Sequence, residues 1–287
     1  FFFFKQKTAY EIRNCDWSSD VCSSDLAGLA WRRCRWTSWT AWVGCGLGLT
    51  CLLGAAEAPD GKATASSGTA SSATPRRILF VGNSLTYWND GIDRQVEKLA
   101  ASARNPERLE TRRSVKGGAT LKVLWEIGEP RSMIGRGNWS EVVLQEDLPE
   151  INVSYFREHA RKFVEEVRKA MGRPILLMTW GYARLDWIDN DGIAEAHRAV
   201  ARELGVEVAP VAVAWKRVLH DRPGLALFAP DREHPSLAGT YLEACVVYAT
   251  INRSSPEPLG HVPQGISAED ALFLRKVAWE TVRDWRP

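Results

Sequence analysis

Ser84, Asp231 and His234 are the side chains whose types and spacing suggest chemistry. Ser84 lies in Arg76-Arg77-Ile78-Leu79-Phe80-Val81-Gly82-Asn83-Ser84-Leu85-Thr86, where a short apolar run stops at Gly-Asn-Ser and an amphipathic helical pattern begins. A serine hydroxyl is a poor nucleophile. It needs a base to take its proton, a group to orient that base, and donors for the oxyanion that develops on the attacked carbonyl. His234 is the best candidate base, within the polar segment Asp231-Arg232-Glu233-His234-Pro235-Ser236. Asp231, three residues earlier, can reach the ring nitrogen that faces away from serine across a tight turn or one helical turn. Taken alone, an Asp-x-x-His pair also fits a surface pair or a cap.

These residues need a scaffold, and the apolar pattern supplies one. Short runs at Arg77–Val81, Leu109–Val115, Glu141–Gln145, Ile175–Thr179 and Val206–Val211 read as five strands. Helical spacing follows them, with Ile92, Val96 and Leu99 on one face, and Phe156, Phe163, Val167 and Met171 on another. A helix is expected from Gly192 to Leu204, a short one from Val213 to Leu219 and a buried one from Leu237 to Ile251. The last should begin at Ser267, capped by that residue with Asp270 reaching back, and carry Leu272, Val277 and Val282. Strands alternating with helices predict an α/β fold, a right-handed three-layer α/β/α sandwich with a parallel sheet of about five strands. Lys116-Gly117-Gly118, after the second strand, allows a sharp turn or a close approach of backbone to a ligand.

The chain has 287 residues, a formal net charge of +2 and 45% hydrophobic residues, which is ordinary globular composition. So small a charge does not suggest a nucleic-acid binder. Of the six cysteines, Cys15, Cys22, Cys34, Cys45 and Cys51 precede the expected domain, and only Cys245 lies within it, in an apolar helical run that suggests buried packing. No disulfide framework and no metal site are expected from this distribution. His159, His197, His220 and His261 lack regular ligand spacing and read as core or surface residues.

The front of the chain divides into three segments. Residues 1–26, FFFFKQKTAYEIRNCDWSSDVCSSDL, have no clear period and resemble translated sequencing-adapter DNA, so they are expected to be artefactual and the true start of the reading frame to be missing or unclear. Residues 27–58 have the pattern of a signal peptide: Arg32, Arg33 and Arg35, an apolar stretch from Trp36 to Leu53, and Ala56-Glu57-Ala58, with cleavage expected after Ala58. An uncleaved membrane anchor is the alternative. Residues 59–74 are small and polar and read as a flexible linker, with the folded domain, 75–287, beginning near Pro75.

Gly82-Asn83-Ser84-Leu85-Thr86 together with Asp231-Arg232-Glu233-His234-Pro235-Ser236 resembles the SGNH (GDSL-like) hydrolases, in the variant that writes its first block Gly-Asn-Ser. The resemblance covers roughly Pro75 to Ile251. It implies a flavodoxin-like α/β/α fold and esterase or acylhydrolase activity without a metal or other cofactor, with Ser84 as nucleophile, His234 as base and Asp231 as orienter. It also implies an oxyanion hole from the backbone N–H groups of Ser84 and Gly118 (or Gly117) and an asparagine side chain from a third block. That asparagine has no match. Leu144-Gln145-Glu146-Asp147 stands in its place, and Gln145 is the expected substitute donor.

The sequence therefore suggests an exported serine esterase acting on a small ester or an acylated carbohydrate, with no nucleic-acid partner and no stable membrane insertion of the mature domain. A weakly active or inactive polysaccharide-binding module and a cell-envelope acyltransferase are the other readings. Trp88, Trp180 and Tyr182 follow strand ends, where they can line a sugar cleft or simply pack. Glu146 and Asp147 could be taken for a glycosidase pair, but adjacent residues usually point apart, and a loop or cap fits them better.

Overall fold

The computed structural model describes residues 75–150 and 153–287. The artefactual, signal and linker segments expected over residues 1–74 lie outside the described residues. Five strands form one parallel sheet in the order β2-β1-β3-β4-β5. They are β1 (Arg76–Gly82), β2 (Leu109–Val115), β3 (Glu141–Gln145), β4 (Arg173–Met178) and β5 (Glu207–Pro210). This is the flavodoxin-like three-layer sandwich.

Alternation along the central strands makes the layers. On β1, Ile78 and Phe80 face one core while Leu79 and Val81 face the other, and all four are fully buried. The first core is covered by α2 (Ile92–Ala101), α7 (Val211–Asp221), α8 (Leu237–Asn252) and α9 (Ala268–Asp284). The second is covered by α3 (Leu121–Ile127), α4 (Glu129–Arg136), α5 (Val153–Lys169) and α6 (Asn190–Leu204). Because both faces are covered, β1, β3 and β4 read as continuous apolar runs. Edge strand β2 does not. Its inward positions include Thr111 and Ser114, and Glu97 accepts hydrogen bonds from both the N–H and the hydroxyl of Thr111.

The chain winds from β1 to β2 in one direction and from β3 to β5 in the other. The reversal leaves a crevice between the carboxyl ends of β1 and β3, where open α/β sheets bind ligands. A single turn of helix, α1 (Ser84–Tyr87), starts there.

Two local expectations, for Met171 and Leu272, are corrected among otherwise expected helices. The segment after Gly118 forms two short helices, α3 and α4. The Thr120 side chain caps the first, and Gly128, at φ +80°, separates it from the second. Met171 does not face the core. It stands 91% exposed at φ +62°, and the N–H of Gly172 closes the end of α5 onto the Val167 carbonyl. Leu272 is half exposed, and α9 instead buries Ala271, Leu274, Ala278 and Thr281. Ser267 caps α9 by accepting from the Asp270 N–H, and its hydroxyl donates back to the Asp270 carboxylate. Helix α8 is buried nearly all round, Cys245 included, and burial pushes that thiol up to about 12.

Candidate active site

The turn that bears Ser84 is built from below. Gly82 ends β1, and Asn83 caps α1 by accepting the Leu85 N–H on its side-chain oxygen at 3.0 Å. Ser84 is thereby placed at the first position of a helical turn at the carboxyl edge of the sheet. The buried side chain of Gln145, from the end of β3, reaches under this turn. Its oxygen accepts the Asn83 N–H at 2.8 Å and the Thr86 hydroxyl at 2.9 Å. A Cβ at position 82 would collide with that oxygen and with the Thr86 hydroxyl, so close packing demands glycine there.

His234 comes from the other end of the domain. Residues 227–236 fold back on themselves. The Ala229 N–H donates to the His234 carbonyl at 2.8 Å and the Ser236 N–H to the Leu227 carbonyl at 2.7 Å. Asp231 organises the tip of this loop. One carboxylate oxygen accepts the Glu233 and His234 N–H groups at 3.0 and 2.9 Å, and the other lies 2.7 Å from His234 Nδ1. Burial works against its charge, but these N–H groups and the imidazole outweigh it and hold the carboxyl below its ordinary range. A carboxylate can only accept, so Nδ1 carries the proton and Nε2 offers its lone pair. That lone pair meets Ser84, whose Oγ lies 2.9 Å from Nε2. The structure thus brings Ser84, His234 and Asp231, which the sequence singled out, into one chain of hydrogen bonds.

The segment following β4 clamps the loop that bears His234. The Trp180 indole donates to the Glu233 carbonyl at 3.0 Å, and Arg184 pairs with the Glu233 carboxylate at 2.6 Å while also bonding Glu150. The Arg232 guanidinium, in turn, donates to the Ala183 carbonyl.

Gly118 stands in an exposed turn at φ +63°, closed by the Ala119 N–H on the Lys116 carbonyl. A positive φ at the third residue of such a turn is the reason for glycine. The turn is tied to β1 by the Lys116 N–H, which donates to the Gly82 carbonyl at 3.1 Å.

Gln145 differs from its expected task. It is fully buried, its oxygen is engaged by the turn around Ser84, and its amide nitrogen donates to the Glu146 carbonyl at 3.1 Å. It braces the turn from inside, with no exposed surface through which to meet a substrate. Glu146 and Asp147 are buried too, and each serves structure. Glu146 accepts the N–H groups of Leu121 and Asp147, and burial pushes its carboxyl up to about 8. Asp147 accepts the Tyr182 hydroxyl at 2.5 Å.

Of the three aromatics named from the sequence, Trp180 and Tyr182 are buried and unable to line a cleft. Trp180 stacks on Trp215 with ring centroids 4.0 Å apart. Trp88 is partly exposed and stacks on the His234 imidazole at 4.0 Å, with 21° between the planes. Trp187, 56% exposed in the segment after β4, went unnoticed because its surroundings carry no motif. His159 and His197 are buried, each 2.9 Å from a carbonyl one helical turn back.

No protein-family model matches the sequence, and no curated protein matches it. Solved structures do. A protein from Slackia heliotrinireducens, provisionally described as an SGNH hydrolase, is 28% identical, with a TM-score of 0.52 over 62% of this chain and 100% of its own. A DUF4886 family protein from Bacteroides uniformis superposes with a TM-score of 0.59 at 14% identity, over 74% of this chain and 96% of its own. A variant of an acetyl-xylooligosaccharide esterase from Geobacillus Stearmophilus gives 0.53 at 18% identity, over 65% and 97%. The chain has distant structural homology to the SGNH and GDSL-like hydrolases, and below 25% identity the likeness concerns the fold.

Proposed function

We propose that the protein is a serine esterase in which Ser84 is the nucleophile, His234 the general base and acid, and Asp231 the group that holds the imidazole. The observation that supports this reading is the chain Ser84 Oγ–His234 Nε2–Asp231, at 2.9 and 2.7 Å. As Ser84 Oγ attacks an ester carbonyl, Nε2 takes its proton. The resulting imidazolium is stabilised by the Asp231 carboxylate and then protonates the departing alcohol. Water, deprotonated by the same nitrogen, releases the acid and regenerates serine. The backbone N–H groups of Ser84 and Gly118 are the oxyanion donors in this reading, while Gln145 holds the turn that presents the first of them.

The substrate class we assign is a small O-acyl ester, such as an acetylated carbohydrate. Trp187 offers an exposed aromatic face in the segment whose Arg184 pairs with the neighbour of His234. Export belongs to the same proposal and rests on the pattern of residues 27–58. Amino-terminal sequencing of secreted material starting at Pro59 would support it, and retention of those residues in a cytoplasmic product would count against it.

The experiment offers p-nitrophenyl acetate, longer acyl esters and acetylated xylo-oligosaccharides to the purified protein and to Ser84→Ala and His234→Ala. Turnover should fall about 10³-fold or more in either variant. Equal hydrolysis by all three proteins would remove the esterase reading.

A further inference from the structure

We propose that Trp88 is a positioning residue for the His234 imidazole, and that Asn89 exists to keep it there. The inference rests on the esterase reading of the same site.

Two independent features carry it. The first is the stack. The Trp88 ring lies 4.0 Å from the imidazole and nearly parallel to it, so it restricts rotation of a ring that must point one nitrogen at Ser84 and the other at Asp231. An indole face also attracts a cation, and the imidazole becomes one each time it takes the serine proton. The stack therefore strengthens as charge develops, which is the property that accelerates a chemical step.

The second is the backbone that follows. Asn89 and Asp90 have φ of +50° and +73°, and Gly91 has +91°, so three consecutive residues occupy positive φ. Such conformations are costly for residues with side chains, although asparagine and aspartate tolerate them best. Here the surroundings compensate. The Asn89 side-chain amide donates to the Pro235 carbonyl at 3.1 Å and to the Thr240 hydroxyl at 2.8 Å. Pro235 immediately follows His234, and Thr240 is in the first turn of α8. The strained turn thus bolts the segment bearing Trp88 to the segment bearing His234, and the ring contact lies beside that bolt.

Three measurements test this. Turnover by the wild type that Ser84→Ala abolishes first establishes the reaction. Trp88→Leu, which keeps apolar bulk but removes the aromatic face, should then lower kcat about tenfold with KM changed less than twofold, and Trp88→Phe should recover most of the loss. The ring-proton resonances of His234, identified by their absence in His234→Ala, should be displaced upfield by the indole in the wild type and return toward ordinary positions in Trp88→Leu. If Trp88→Leu does not fold, Asn89→Asp takes its place. It tolerates the backbone conformation but loses both amide donations, and should show a reduced kcat and a weakened upfield displacement. Unchanged kcat in the variant, equal losses in Trp88→Leu and Trp88→Phe, or a loss confined to KM would each overturn the inference while leaving the esterase reading intact. A wild type no more active than Ser84→Ala would remove both.

Discussion

The side-chain oxygen of Gln145 lies 2.8 Å from the backbone nitrogen of Asn83, the residue before Ser84. The same oxygen accepts the Thr86 hydroxyl, so one buried amide spans the turn from the residue before the serine to the second residue after it. The end of β3 is therefore joined to the end of β1 across the crevice where the sheet order reverses.

Replacing Gln145 by leucine removes that acceptor and strands two buried donors, at about 1–3 kcal/mol each. The expected outcome is a lower thermal midpoint together with reduced esterase turnover, read by calorimetry and by p-nitrophenyl acetate hydrolysis. Reduced turnover at unchanged stability would instead assign Gln145 a direct role with the substrate.

Gly82→Ala should act on the same network from the strand side. The added methyl meets the Gln145 oxygen and the Thr86 hydroxyl, and relief requires the turn to shift. A loss of about 1–3 kcal/mol is expected, as for overpacking of a dense interior, with denaturant unfolding as the measurement.

Asp231→Asn retains shape but not charge, and no longer compels Nδ1 to carry the proton. Turnover should fall by up to about 10⁴-fold while the fold persists, since the wrong tautomer leaves Nε2 without a lone pair for the serine. The Asp231 carboxyl sits below its ordinary range and stays ionised across the neutral region, so its protonation does not set an activity limb there. Turnover of the variant beside the wild type, with circular dichroism to show that the fold persists, is the measurement.

Glu146 makes stability depend on pH in an unusual direction. Burial raises its carboxyl from 4.5 to about 8, so the folded chain holds a proton that the unfolded chain has released. Its contribution is complete below the unfolded value and is lost as pH rises towards 8, at up to about 1.4 kcal/mol per pH unit. Glu146→Gln keeps an acceptor for the Leu121 and Asp147 N–H groups and does not titrate. Its stability relative to the wild type should therefore climb between about pH 4.5 and 8. A pH-independent difference in urea midpoints would contradict this.

Much of this architecture was legible in the residues. Strands β2 and β3 run from Leu109 to Val115 and from Glu141 to Gln145, as expected from apolar patterning and the breaks around it. The predicted strand ending at Val211 stops at Pro210, because Val211 already begins α7. Asp231 and His234 were readable as a pair because they sit within one turn. Side-chain direction was not. Gln145, Trp180 and Tyr182 follow or end apolar strands, and sequence spacing cannot say whether their polar ends turn outward to a cleft or inward to a buried partner. Met171 followed the helical period, yet its backbone had already left the helix. The stack of Trp88 on His234 joins residues far apart in sequence, and neither segment alone hints at it.

Ser84 and His234 meet across 150 positions of chain. The segment bearing His234 must have been synthesised and docked before the Ser84 hydroxyl has its partner. A nascent or truncated chain that has formed β1, β2 and β3 displays the serine but lacks the imidazole. Reactivity of Ser84 with an acylating probe would therefore report that the segment bearing His234 has docked against the end of β1.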